Sequence, residues 1–247
     1  MANIASLGDD GYKQVERQVQ LLGRGKSTLE AAARAYSSLI YEQFEESVVL
    51  SRLFATVPRR DLPPARSQFV RALAESAGVA KTVDDDTLVL SLLGTRGVEA
   101  EWSDVAKSKG HVGIPLASSA FVSAIPMVSR LLHQLGAGVD WIDKKDTSIV
   151  ARALGLVGGL FFVQDAASEV DAQGRKIIPA QDFVSKYGVK SVFGFGGGYA
   201  GTQTFVISIN FLRDPIDRPV AERFLGHVDR FKVSTADVVR KRAVFDV

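Results

Sequence analysis

The chain contains no cysteine. That removes disulfides, thiol nucleophiles, cysteine-ligated zinc or iron–sulfur clusters and any thioether-linked chromophore. No apolar run approaches the ~18 residues that suggest a membrane span. Met1-Ala-Asn-Ile-Ala-Ser-Leu-Gly-Asp-Asp10 has neither the basic nor the apolar region of a secretory signal. An excess of one charge is missing too: 30 Lys and Arg face 28 Asp and Glu, a net +2, without the basic footprint of a dedicated nucleic-acid binder. No His-x-x-x-His or Glu-x-x-His pair occurs, so local sequence offers no metal site. Internal repeats and Pro/Ser-rich linkers are absent as well. These absences lead us to expect a cytoplasmic chain with neither membrane nor nucleic acid as partner. What is present is ordinary for a globular protein: 46% hydrophobic and 23% charged residues.

The stretch from Val189 to Leu212 organises the rest. Lys190-Ser-Val-Phe-Gly-Phe195 reads as one strand and Thr204-Phe-Val-Ile-Ser-Ile-Asn-Phe-Leu212 as the next. Alternation puts Phe205, Ile207, Ile209 and Phe211 on one face, and Val206, Ser208, Asn210 and Leu212 on the other. Gly196-Gly-Gly-Tyr-Ala-Gly201 between them reads as a hairpin connection. Such a face must be covered by helices. Further strands are expected at 48–56, 88–93 and 159–165, with a short extended segment around His111–Leu116.

Helices are expected at 9–23, 28–46, 64–77 and 119–135, with a weaker one at 145–155. Pro126 kinks the fourth or marks its start, and Pro179 opens a short helix ending at Tyr187. A last helix runs from Arg218 or Pro219 to about Arg242 with the stripe Val220, Phe224, Val228, Phe231, Thr235 and Val238. Ser27 with Glu30 reads as a capping box for the second helix. We divide the chain into an N-terminal helical extension, 1–26, and one domain, 27–247. The fold class is α+β: an antiparallel sheet of five or six strands with helices on both sides.

Two glycine-rich segments imitate phosphate-binding loops. Gly23-Arg-Gly-Lys-Ser-Thr28 lacks the first glycine of a P-loop, since Gln20 stands there, and no buried strand precedes it. Gly194 to Gly201 is followed by a strand, whereas a dinucleotide loop must feed a helix. Asp84-Asp-Asp86 is a solvated turn without the spacing of a calcium loop.

Three blocks carry a family resemblance. They are Leu92-Leu-Gly-Thr-Arg-Gly97 with Trp102; Gly110-His-Val-Gly-Ile-Pro-Leu116 with Ile125-Pro-Met127; and Val163-Gln-Asp-Ala-Ala167 with Gln173-Gly-Arg-Lys-Ile-Ile-Pro-Ala180. With the order of elements, these resemble a GAF-like (PAS/GAF-type) sensory domain of the kind near the N-terminus of bacterial two-component sensor kinases. The resemblance spans roughly residues 30 to 240 and contains no catalytic signature. It implies a stand-alone, non-catalytic sensing module that binds a small molecule, a signalling partner protein, or both. Haem or another non-covalently held small molecule fits that implication. A covalently attached bilin and the cysteine chemistry of GAF-type sulfoxide reductases do not, because there is no thiol. No output module follows Val247, so signalling is expected to pass through a partner.

A ligand is expected between the sheet and the insertion Gly94–Leu135, anchored by Arg96, Trp102 and His111, with Phe162 and Gln164 on the sheet side. His111 competes with a purely structural reading. His133 is expected in solvent and His227 half buried. Two alternatives stand beside sensing. One is an enzyme whose site assembles from loops around Arg96, His111 and Asp165. The other is a structural dimerisation module; the apolar stripes of Glu30 to Phe44 and of Val220 to Val239, the last helix being about 24 residues and roughly 36 Å long, suggest a homodimer.

Overall fold

Period-two runs rich in β-branched and aromatic residues form strands at each expected position. The computed structural model describes residues 3–108, 111–144 and 159–246. Its strands are β1 (Val48–Pro58), β2 (Leu88–Gly97), β3 (Gly113–Pro115), β4 (Gly159–Val163), β5 (Ser191–Gly198) and β6 (Phe205–Leu212). Among the described residues they make one antiparallel sheet in the order β3-β2-β1-β6-β5-β4. The helices described are α1 (Asp9–Leu21), α2 (Leu29–Gln43), α3 (Pro64–Ser76), α4 (Ser119–Ser123), α5 (Pro126–Gln134), α6 (Asp140–Lys144), α7 (Gln181–Tyr187), α8 (Arg218–Glu222) and α9 (Gly226–Arg240). The helix expected at 145–155 lies outside the described residues.

Two strands run further than their sequence suggests. Gly94–Gly97 continues β2, and Gly196–Gly198 continues β5, so the turn into β6 falls between Tyr199 and Thr204. Glycine at these positions answers close packing. A Cβ on Gly97 would lie 2.6 Å from the Trp102 ring and 2.8 Å from the Val49 carbonyl oxygen.

Helices cover the two faces differently. On one face α1, α2 and α9 pack over Leu53, Leu93, Phe193, Phe195, Val206 and Leu212. Aromatic edges join these layers: Tyr36 meets Phe231 at 5.5 Å, and Phe44 meets Phe224 at 5.7 Å between ring centroids. The C-terminal helix expected from Arg218 to Arg242 is in fact two helices, α8 and α9. Gly226 lies at the break, where a Cβ would overlap the Glu16 side chain of α1. Phe224, Val228, Phe231, Thr235 and Val239 are buried in this protein's own core. The single long helix expected over this stretch is therefore not formed.

The start of α2 is also held differently from expectation. Thr28, not Ser27, is the cap, its hydroxyl accepting from Ala31 N at 3.0 Å. The free N–H groups of Leu29 and Glu30 donate to Ala243 and Val244 carbonyls at 2.9 and 2.8 Å, so the C-terminal segment completes the helix end. Glu30, released from capping, pairs with Arg66 of α3. Arg66 also donates to the Leu92 carbonyl and to Ser91 Oγ, tying α2 and α3 to β2.

On the other face, α4 to α7 cover Phe54, Leu92, Phe161, Ile207 and Ile209. Pro126 begins α5, and Leu135 just past its end lies against Gly159 and Gly196, where no side chains intervene. Edge strand β4 is protected by this helix. Gln134 Oε1 accepts from Phe162 N, and Arg130 Nη2 donates to the Phe162 carbonyl, both at 3.0 Å.

A β-bulge shapes the centre of the sheet. Leu53 pairs with Gly94 and Phe54 with Leu92, leaving Leu93 as an extra residue on β2. Leu93 packs in the α2 core, and a Cβ on Gly94 would overlap the Ala33 carbonyl of α2. Two consecutive residues thus face α2. Gly94→Ala should cost at least about 2 kcal/mol of stability, measured by urea denaturation; an unchanged midpoint would show that α2 can retreat without penalty.

His227 is 1% exposed, against Phe195 and Phe224, and neither ring nitrogen has a hydrogen-bond partner among the described residues. Burial holds its pKa down to about 3, from an ordinary 6.5. The unfolded chain therefore binds this proton more readily, and stability falls as pH drops below 6.5 towards 3. The loss should reach about 2 kcal/mol at pH 5. Thermal melts of His227→Leu should show a flatter pH dependence than the wild type between pH 7 and 4. Parallel curves would mean that the ring is hydrated or paired in solution.

Candidate functional site

On the sheet face opposite α2, described residues of the insertion between β2 and β4 and the segment 178–183 border a cavity of about 330 Å³. Its floor comes from alternating residues of three strands: Leu50, Arg52 and Phe54 of β1, Leu90 and Thr95 of β2, and Ile209 and Phe211 of β6. Its roof is the N-terminal part of α5, with Ile125, Met127, Val128 and Leu131. One wall is aromatic. Trp102, from the 3-10 turn Ala100–Ser103, lies 5.7 Å from Phe183 of α7, and Phe183 lies 5.3 Å from Phe211.

Polar groups enter at few points, as in ligand pockets generally. Arg52 and Thr95 are register partners across β1 and β2 and share the cavity face. Arg52 Nη2 donates to Ser108 Oγ at 3.2 Å. Arg52 Nε and Thr95 Oγ1 are buried and, among the described residues, have no hydrogen-bond partner. Burial pulls the Arg52 pKa down to about 10, which leaves it charged at neutral pH. Among the described residues no carboxylate forms an ion pair with Arg52. Glu101 and Lys107 line the exposed rim.

His111 also stands at the rim, with a left-handed backbone (φ 51°) unusual for a residue other than glycine. Burial first, and the charge of Arg52 second, lower its pKa. The ring is closely surrounded by protein yet retains much solvent-exposed surface, so the shift represents little energy.

The sequence-predicted residues do not all meet here. Trp102 and His111 line the cavity. Arg96 does not, because the bulge turns it to the α2 face, where its guanidinium lies 5.5 Å from the Tyr41 ring and Nη1 donates to Ser103 Oγ at 2.6 Å. Phe162 packs in the α2–α9 core, and Phe161 is the β4 ring on the cavity side of the sheet. Gln164 is exposed beyond the end of β4, in a separate open depression with Asp165. Asp165 accepts from Ala167 N, Ser168 N and Ser168 Oγ, and these bonds lower its pKa. Arg96, His111 and Asp165 therefore do not assemble into one catalytic cluster. His133 is exposed as expected, while His227 is fully rather than half buried.

Sequence reasoning missed Arg52 and Thr95. A signal for Arg52 was present, since it is the one charge inside Val48-Val-Leu-Ser-Arg-Leu-Phe-Ala-Thr-Val57. A charge inside a buried run needs a reason.

Six antiparallel strands with helices on both faces match the architecture that the sequence resemblance implies. The fold class is α+β, as expected. Neither a family model nor a curated protein matches the chain. Among solved structures, a phycocyanobilin-bound GAF domain from a cyanobacterial phytochrome is similar at 12% identity and a TM-score of 0.49, over 96% of this chain and 98% of that one. A phycoerythrobilin-bound GAF domain from a cyanobacterial phytochrome gives 10% and 0.47, over 96% and 99%. Free methionine-R-sulfoxide reductase from Neisseria meningitidis gives 11% and 0.46, over 97% and 98%. The bilins and the reductase activity belong to those proteins. No group of three His, Asp or Glu among the described residues could hold a metal ion, and no described helix is long and apolar enough to cross a membrane.

A guanidinium that sits on an apolar floor without a counter-charge costs stability. Arg52→Met should therefore raise the unfolding free energy of the ligand-free protein, measured by urea denaturation, by about 1 kcal/mol or more. A comparable fall would make Arg52 a structural residue.

Proposed function

We propose that this chain is a non-catalytic sensing module that holds a small molecule, without a covalent bond, between the sheet and the Gly94–Leu135 insertion. The observation that carries this reading is the cavity itself. A largely apolar space of about 330 Å³ is lined by Arg52 and Thr95, whose Nε and Oγ1 are buried without a hydrogen-bond partner among the described residues. Polar atoms left that way by folding alone are costly, and a ligand that pairs with them recovers the loss. Attachment through a thioether is ruled out by composition. A signalling protein that distinguishes the filled from the empty domain belongs to the same reading.

The test uses the protein's own fluorophores. Trp102 lines the cavity, whereas Trp141 is 3% exposed and not part of its lining. Small aromatic and aliphatic compounds that raise the melting temperature should also change Trp102 emission, and the spectral change should vanish in Trp102→Phe. Met127→Trp, which places a larger ring on the roof, should abolish binding while the domain still folds. Thermal shifts that persist in Met127→Trp would place the site elsewhere, and a panel without hits would overturn the reading.

A further inference from the structure

We propose that the cavity selects an organic acid: a largely apolar small molecule whose carboxylate is held by Arg52 and Thr95 on the sheet floor. This inference rests on the reading of the cavity as a ligand site and gives that ligand a chemical class. Arg52 stands at the middle of the floor, with Leu50 and Phe54 on its own strand and Ile209 opposite it on β6. A neutral ligand would leave this charge uncompensated in an apolar setting. A carboxylate would neutralise it and accept from the N–H that now lacks an acceptor. Side-by-side guanidinium donors match two carboxylate oxygens, an arrangement that ammonium does not reproduce.

The neighbours agree in sign. Thr95 lies directly across from Arg52 in the β1–β2 register, and its unpartnered hydroxyl can donate to the same anion. His111 adds a ring N–H at the rim. Lys107 is a second cation there, and Glu101 the one acidic group among the described lining residues, at the exposed edge. Apart from Ser108 and the Trp102 indole, the remaining surface, from Leu90 and Ile114 to Met127 and Leu131, offers no polar side chain. It suits a hydrocarbon or aromatic body and disfavours a sugar or a polyol.

Matched pairs that differ only in charge test the assignment: naphthalene-2-acetic acid against naphthalene-2-acetamide, and octanoate against octanamide, by isothermal titration calorimetry at neutral pH. In at least one pair the acid should bind about tenfold or more tightly than the amide. That preference should collapse in Arg52→Met, shrink in Thr95→Val and grow in Glu101→Gln. Equal binding of acid and amide to the wild type would overturn the acid assignment while leaving the cavity as a ligand site. Failure of all four compounds to bind would overturn both. Should Arg52→Met not fold, Arg52→Gln is read in the same way, and the wild-type comparison decides by itself.

Discussion

The extra residue in β2 is the constraint on which the site depends. Before it, Leu90 and Leu92 face the insertion; after it, Thr95 does, because Leu93 and Gly94 both turn towards α2. A regular strand would have kept even-numbered residues on the insertion side and put Arg96 there. The bulge is held from behind, since α2 packs so closely that position 94 has no room for a side chain. Helix packing on one face therefore decides which polar groups appear on the other.

The two faces answer different requirements. Beneath α2 and α9 the packing is continuous: Ser51 Oγ donates to Asn210 Oδ1 at 2.8 Å, while Tyr36, Ser37 and His227 are buried there with side-chain polar atoms that have no partner among the described residues. Beneath α5 and α7 the packing leaves space, and Arg52 Nε and Thr95 Oγ1 beside it have no partner among the described residues. One layer supplies stability, and the other concedes some of it to keep a charge available. Separating the two tasks on opposite sides of one sheet lets the cavity be strained without loosening the fold.

Much of the fold was legible in the sequence because alternation, proline and glycine act locally. The faces of β6 follow the alternation of Phe205 to Leu212, and Pro126 starts α5 as its fixed φ requires. The site was only partly legible. Trp102 and His111 follow from their place in the insertion, but Arg96, placed there too, belongs to β2, where one extra residue sets its face, and Phe162, placed on the sheet side, lies on the opposite face of β4. The cap of α2 was misread for a related reason. Ser27 and Glu30 have the right spacing, but the true partners of that helix end are Ala243, Val244 and Arg66, distant in sequence. No window of local sequence contains them.

Helix α5 joins two features that first look separate. Its early residues roof the cavity, while Arg130 and Gln134 on the same helix satisfy the backbone of β4 at the sheet's margin. A rigid shift of α5 that resizes the cavity also loosens that margin. The Phe162 N–H and C=O would then lose their partners, so the size of the cavity and the closure of the sheet's edge are mechanically linked.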